Sequence, residues 1–232
     1  MAANKTVFFV IGVLLVILGA FMLIPYLAQT IIYEENSHSF LSSAFVTAFI
    51  GTLFILTNIE ERELSLNLQQ TFLFSTLAWL SVAIFGSIPF IFSTLDLSIS
   101  EAFFESMSGI TTTGSTVIAN LDETPKSILL WRSIMQWLGG IGIIVMALTV
   151  LPLLKVGGMQ LFKMEGSDTT EKILPRTVEI ATIIISTYII LTFLCGFFYW
   201  IFGMSLFDSI AHSMTTIATG GFSTHNDSIG FF

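Results

Sequence analysis

Two short stretches carry the residue types that can replace water around a cation: Thr111-Thr-Thr-Gly-Ser-Thr116 and Ala218-Thr-Gly-Gly-Phe-Ser223. A dehydrated cation needs oxygen atoms where its hydration shell was, and backbone carbonyls aimed at one axis, helped by Thr hydroxyls, supply them. Aiming consecutive carbonyls one way takes backbone angles that a Cβ resists, and glycine provides those angles. One such stretch alone is an ordinary turn. Two copies at a fixed offset are a pattern. Ser106-Met107 and Ser213-Met214 lie 107 residues apart, and the same offset carries Glu101 onto Asp208, Thr112 onto Thr219 and Gly114 onto Gly221.

The elements before these stretches are legible too. Ser98-Ile-Ser-Glu101 and Ser205-Leu-Phe-Asp208 both fit a capping-box pattern, the second with Asp in place of Glu. Each opens a helix of about 12 residues, or about 18 Å at 1.5 Å per residue. That is too short for a hydrocarbon core of about 30 Å. Irregular backbone at membrane depth is tolerated only where protein buries it or water lines it. A half-length helix followed by an extended loop therefore predicts a re-entrant pore loop. The negative end of such a helix favours a cation.

Composition supplies the setting. The 232 residues are 54% hydrophobic before glycine is counted, and only 10% are charged; about 25% charged is usual for a soluble domain. Uncharged runs predict spanning helices at Val7–Ile32, Leu41–Ile59, Thr71–Phe92, Ile128–Leu154 and Thr177–Phe202. The span Thr71–Phe92 maps by the same offset onto Val178–Tyr199 in the last of these. The expected fold is an all-α polytopic membrane protein of helix–pore loop–helix repeats with re-entrant half-helices. Its divisions are a helix pair at 1–60, a first repeat at 71–154, a loop at 155–176 and a second repeat at 177–232. A net charge of −8 argues against nucleic acid, which calls for a basic face. The lone Cys195 excludes an internal disulfide framework. Metalloprotease, serine-elbow and phosphate-loop motifs are missing from the sequence, so an enzyme is not expected.

Orientation follows from Lys and Arg. With the N-terminus inside, inner segments hold Lys5, Arg62, Lys155, Lys163, Lys172 and Arg176, and outer segments hold Lys126 and Arg132. Nine acids then fall outside, among them Glu101, Glu105, Asp122 and Asp208. They read singly as solvated loop acids, and together as a negative vestibule that concentrates cations.

Other features admit plainer readings. Arg132 and Gln136 lie one turn apart near the outer end of the fourth span. Arg132 either pairs with Glu105 or Asp122 or reaches the interface, and both readings stay open. Gly139, Gly140 and Gly142 sit in an apolar helix, where small residues permit close packing. His38, His212 and His225 lack metal-ligand spacing, and a local hydrogen bond joins His212 to Asp208 most simply. Trp79, Trp131, Trp137 and Trp200 include interface anchors.

A family resemblance rests on dense matching text. It runs through Pro89-Phe-Ile-Phe, Ala102-Phe-Phe-Glu-Ser106, Gly109-Ile-Thr-Thr-Thr-Gly114 and Gln136-Trp-Leu-Gly-Gly-Ile-Gly-Ile-Ile144. It continues with Val156-Gly-Gly-Met-Gln-Leu161 and Thr216-Ile-Ala-Thr-Gly-Gly-Phe-Ser-Thr-His225. The chain resembles the TrkH branch of the Trk/Ktr/HKT superfamily of potassium transporters. The resemblance implies four such repeats around a pore, each giving one filter segment with a central glycine. Here those would be Gly114 and Gly221, with Thr111, Thr112, Thr113 and Ser115, and Ala218, Thr219, Gly220 and Phe222, as filter backbone. K+ would sit at Thr112, Thr113, Gly114, Thr219, Gly220 and Gly221.

The resemblance further implies a homodimer in the lipid bilayer, gated by a cytosolic nucleotide-binding regulatory ring that docks on the inner loops. The expected location is the bacterial inner (plasma) membrane, multi-pass, with a cytoplasmic N-terminus. No cofactor is expected, K+ being the transported ion. By the offset, the second repeat continues into a helix at 235–261, past Phe232, so the chain reads as the N-terminal half of a transporter. The competing expectation is a non-conducting fragment, or the partner-binding half of a split or truncated transporter.

Overall fold

A computed structural model describes residues 5–32, 37–59, 68–154 and 173–232. Its helices are α1 (Lys5–Ile32), α2 (Ser37–Thr57), α3 (Leu68–Gly86), the one-turn α4 (Ile88–Ile91), α5 (Ile99–Ile110), α6 (Lys126–Leu154), α7 (Ile173–Ile201) and α8 (Leu206–Ile217). A 3-10 turn at Ser228–Phe231 follows. No strand occurs among the described residues. Five segments there are long and apolar enough to cross a membrane, in α1, α2, α3 with α4, α6 and α7. Residues 155–172, most of the expected cytoplasmic loop with Lys155, Lys163 and Lys172, lie outside the described residues, as does Arg62.

The helices α1 and α2 form a pair held at close range by small residues. A Cβ built on Gly12 would stand 2.6 Å from the Gly51 carbonyl oxygen, and one on Gly51 would stand 2.7 Å from that of Gly12. In lipid, where no hydrophobic force separates helix from tail, such close packing is what joins helices. Behind this pair the core gathers Phe40 of α2, Phe90 of α4, Ala102 of α5, and Trp131, Ile134 and Met135 of α6. In contrast α7 turns Ile183, Ile190, Phe193, Phe197 and Phe198 outward.

The third expected span, Thr71–Phe92, is broken rather than continuous. Pro89 has no N–H to donate back along the helix, so α3 ends at Gly86 and α4 restarts with Pro89 in its first turn. The Phe90 and Ile91 N–H groups bond to the Ser87 carbonyl at 3.0 and 3.1 Å. The Gly86 carbonyl, released from the helical ladder, accepts instead from Trp131 Nε1 at 3.0 Å. Trp131 is accordingly fully buried and serves the core, not the membrane interface.

Each half-length helix, α5 and α8, has 12 residues. Their starts differ by one methylene. Ser98 accepts from the Glu101 N–H, and Glu101 reaches back to the Ser98 N–H, completing a capping box. At α8 Ser205 accepts from the Asp208 N–H, while Asp208 Oδ2 takes the Ser205 hydroxyl. The second cap is therefore one-sided, a departure from the box expected there.

Candidate functional site

Both half-length helices end in the same way. Past Thr111, the Thr112 N–H bonds to the Gly109 carbonyl at 3.0 Å and the Thr113 N–H to that of Ser108 at 2.9 Å. Past Ala218, the Thr219 N–H bonds to Thr216 and the Gly220 N–H to Thr215, each at 2.9 Å. This nested pair of bonds is the Schellman termination, whose left-handed residue is usually glycine. Here it is Thr112 and Thr219, each at φ 55°. Two residues later come Gly114 at φ 80° and Gly221 at φ 82°. The expectation gave the unusual angles to glycine alone. Half of them belong to threonine, a β-branched residue for which this region is a true outlier.

The two loops touch. A Cβ on Gly114 would fall on the Gly220 carbonyl oxygen, whereas one on Gly221 meets nothing within 4 Å. A cavity of about 340 Å³ opens between them, lined by Gly114, Thr116, Ile118, Gly221, Ser223 and Asn226 among others. Thr113, Ser115, Thr219 and Gly221 are exposed, Thr111, Thr112 and Gly114 half-buried, and Ala218, Gly220 and Phe222 buried.

Both loops rest on α6. A Cβ on Gly139 would strike the Ile110 carbonyl, and one on Gly140 would stand 3.2 Å from Ala218. Those are the last residue of α5 and the first after α8, so the glycine pair serves close packing, as read from the sequence. One turn earlier on α6, Gln136 is fully buried. Its Nε2 donates to the Gly220 carbonyl at 2.8 Å, and its Oε1 accepts from the Phe222 N–H at 3.1 Å.

Arg132 resolves in favour of pairing. Its Nε donates to Glu105 Oε1 at 2.6 Å and its Nη1 to the Ser223 carbonyl at 3.0 Å. The guanidinium carbon also stands 4.1 Å from the Phe222 ring centre, within cation–π range. Glu105 further accepts from the Thr116 hydroxyl and the Val117 N–H. Both partners are at most 1% exposed. Glu105 is thus no vestibule acid. Burying a carboxylate is costly unless it is paired and hydrogen-bonded, and this one is both.

The residue 107 positions on from Glu105 is His212, and it holds the matching place. Its Nε2 lies 3.0 Å from the Ser223 hydroxyl, as Glu105 holds that of Thr116, and its Nδ1 lies 2.9 Å from the Asp208 carbonyl. The local bond to Asp208 was legible from the spacing, but the Glu105–His212 correspondence was missed. The repeat offset itself was the signal that could have found it.

Outside the loops a strap joins the two repeats. The Leu121 N–H donates to Asn226 Oδ1 at 2.9 Å, and His225 Nδ1 lies 2.6 Å from Asp122 Oδ1. That hydrogen bond holds the Asp122 carboxyl below the usual carboxylate range. Among the described residues no cluster of His, Cys, Asp or Glu could hold a metal ion.

Half-length helices that end on paired Thr/Gly loops, within a bundle of helices long and apolar enough to cross a membrane, define a multi-pass membrane protein of the potassium-channel-like pore-loop class. The chain belongs to the TrkH family of cation transport proteins, whose family model matches residues 36–232. It is 42% identical over 226 residues to the Trk system potassium uptake protein TrkH of Escherichia coli (strain K12), which covers 96% of this chain and 47% of that protein. It is 43% identical over 224 residues to the Trk system potassium uptake protein TrkI of Halomonas elongata, covering 96% of this chain and 45% of that one. The crystal structure of the potassium transporter TrkH from Vibrio parahaemolyticus superposes with a TM-score of 0.86 at 38% identity, over 98% of this chain and 46% of that chain. The chain spans just under half the length of these relatives.

Proposed function

We propose that this chain contributes two filter strands to a pore for potassium uptake across the bacterial inner membrane. The carrying observation is the shared backbone of the two loops, with left-handed residues at matching positions and Gly114 against Gly220. Thr111–Ser115 and Ala218–Phe222 form the strands, and K+ meets Thr112, Thr113, Gly114, Thr219, Gly220 and Gly221. The names of the relatives, potassium uptake proteins, support the ion. The protein transports and carries out no enzymatic step. It works as a homodimer with its N-terminus in the cytoplasm, on the side carrying most of the Lys and Arg, and a cytosolic nucleotide-binding ring regulates it there.

The test is potassium uptake by the complete open reading frame in cells lacking their own uptake systems. Growth at low potassium is expected, and bulky residues at Gly114 and Gly221 are expected to abolish it. Unchanged flux and unchanged K+/Na+ preference in those variants would remove the two loops from the pathway.

A further inference from the structure

The two loops share a backbone but not the means of holding it. In the first, Ser108 Oγ donates to the Ser115 carbonyl at 2.6 Å, so the helix before the loop fixes the strand after its glycine. The matching residue in the second repeat is Thr215, and its hydroxyl turns back to the His212 carbonyl at 3.2 Å. The equivalent bond to Phe222 is missing among the described residues.

Gln136 takes that place from another repeat. Its amide grips the peptide groups on both sides of Gly221, at the Gly220 carbonyl and the Phe222 N–H. Gly221 needs such a grip. It sits at φ 82° with nothing within 4 Å of where its Cβ would be, so packing does not restrain it. The carbonyl that Gln136 holds is also one of the oxygens assigned to the ion. A carbonyl has two lone pairs, and the donor on one fixes where the other points.

We infer that Gln136 is a positioning residue for cation discrimination, setting the direction of the Gly220 carbonyl in the second filter strand. The inference rests on the pore reading above. A loop free to rotate its carbonyls adjusts to a smaller ion as readily as to a larger one, whereas a loop tied on both sides of its glycine does not.

The experiment compares wild type with Gln136→Met and Gln136→Glu in the complete open reading frame, measuring membrane abundance, maximal rate, and KM for K+ with and without Na+ as competitor. Gln136→Met removes both bonds at similar volume. Gln136→Glu keeps an acceptor for the Phe222 N–H and loses the donor to Gly220. The donor bond to Gly220, at the ordinary strength of a buried hydrogen bond, corresponds to about fivefold, so Gln136→Met is expected to lower the K+/Na+ preference by about that factor. Gln136→Glu is expected to lower it comparably, because the donor to Gly220 is the bond that matters. Should Gln136→Met fail to reach the membrane, Gln136→Glu alone decides. Variants that lose abundance or maximal rate at unchanged preference would make Gln136 a structural residue and overturn the inference, leaving the pore reading intact. A wild type that carries no potassium overturns the pore reading and this inference together.

Discussion

The first repeat holds its loop from within, whereas the second is held by its neighbour. Glu105 and Ser108, both on α5, bond Thr116, Val117 and Ser115 of the loop that follows them. At α8 the matching His212 reaches Ser223 and Asp208 takes the Thr224 hydroxyl, but Thr215 reaches nothing in the loop, and Arg132 and Gln136 of α6 bond the backbone on either side of Phe222. Equal backbones can therefore rest on unequal supports: the first loop is bonded by the carboxylate of a buried ion pair, whereas the second takes the Arg132 guanidinium and the Gln136 amide from α6 beside its own His212 and Asp208.

The largest expected effect attacks that inequality. Glu105→Gln strands Arg132 as a buried charge without its partner and should cost about 3–5 kcal/mol. His212→Gln puts at risk two neutral hydrogen bonds, to Ser223 and to the Asp208 carbonyl, and should cost about 2 kcal/mol. Thermal unfolding of the whole protein in detergent reads both, and equal losses would erase the distinction. Arg132→Met in the Glu105→Gln background should recover much of the loss, since breaking one side of a buried pair costs more than replacing both.

Next come the glycines. Gly114→Ala drives a Cβ into the Gly220 carbonyl, whereas Gly221→Ala meets open space and bears only the left-handed strain of about 1–2 kcal/mol. The first should lose both membrane abundance and uptake. The second should remain abundant while its transport changes. Similar abundance for the two would show that the close approach at Gly114 relaxes freely.

A third pair of substitutions should show no contrast. Thr112 and Thr219 share φ 55° and the same two capping bonds. Replacing either with Gly removes about 1–2 kcal/mol of strain and adds about 0.5–1 kcal/mol of chain entropy cost. Both variants should melt slightly higher, by similar amounts. A gain in one repeat alone would mean that the loops differ in backbone as well as in bracing.

The smallest effect concerns the strap between the repeats. Because the hydrogen bond from His225 depresses the Asp122 pKa, its contribution is complete above the ordinary Asp value of about 3.9. It is lost as pH falls through the depressed value. Amide exchange in residues 119–127 should rise only in that acidic window, and Asp122→Asn should flatten the dependence. Protection that already fails near neutral pH would place the controlling group elsewhere.

Much of this was legible in the sequence, because the signals were periodic or additive. Apolar runs gave the spans, and two serines followed three residues later by an acid gave the half-helix starts. What escaped depended on contacts between distant segments. Glu105 reads both as an outer acid and as a partner for Arg132, and only the fold, which brings the two to 2.6 Å, decides between them. Trp131 reads as an interface anchor until the break at Pro89 exposes a carbonyl for it. Thr112 and Thr219 look like hydroxyl donors, and nothing local announces that they also carry the left-handed turn.

The brace formed by α6 has a direction. Gly139 meets the end of its own repeat's half-helix, while Gly140, Arg132 and Gln136 reach forward to the loop of the next repeat. A contact that joins unlike surfaces, front of one unit to back of the next, is heterologous. Repeated by one rotation it closes a ring, whereas an isologous contact closes a pair. The contact between the two repeats described here is of that heterologous kind, so damage to the α6 brace reaches the loop of the second repeat as well as that of its own.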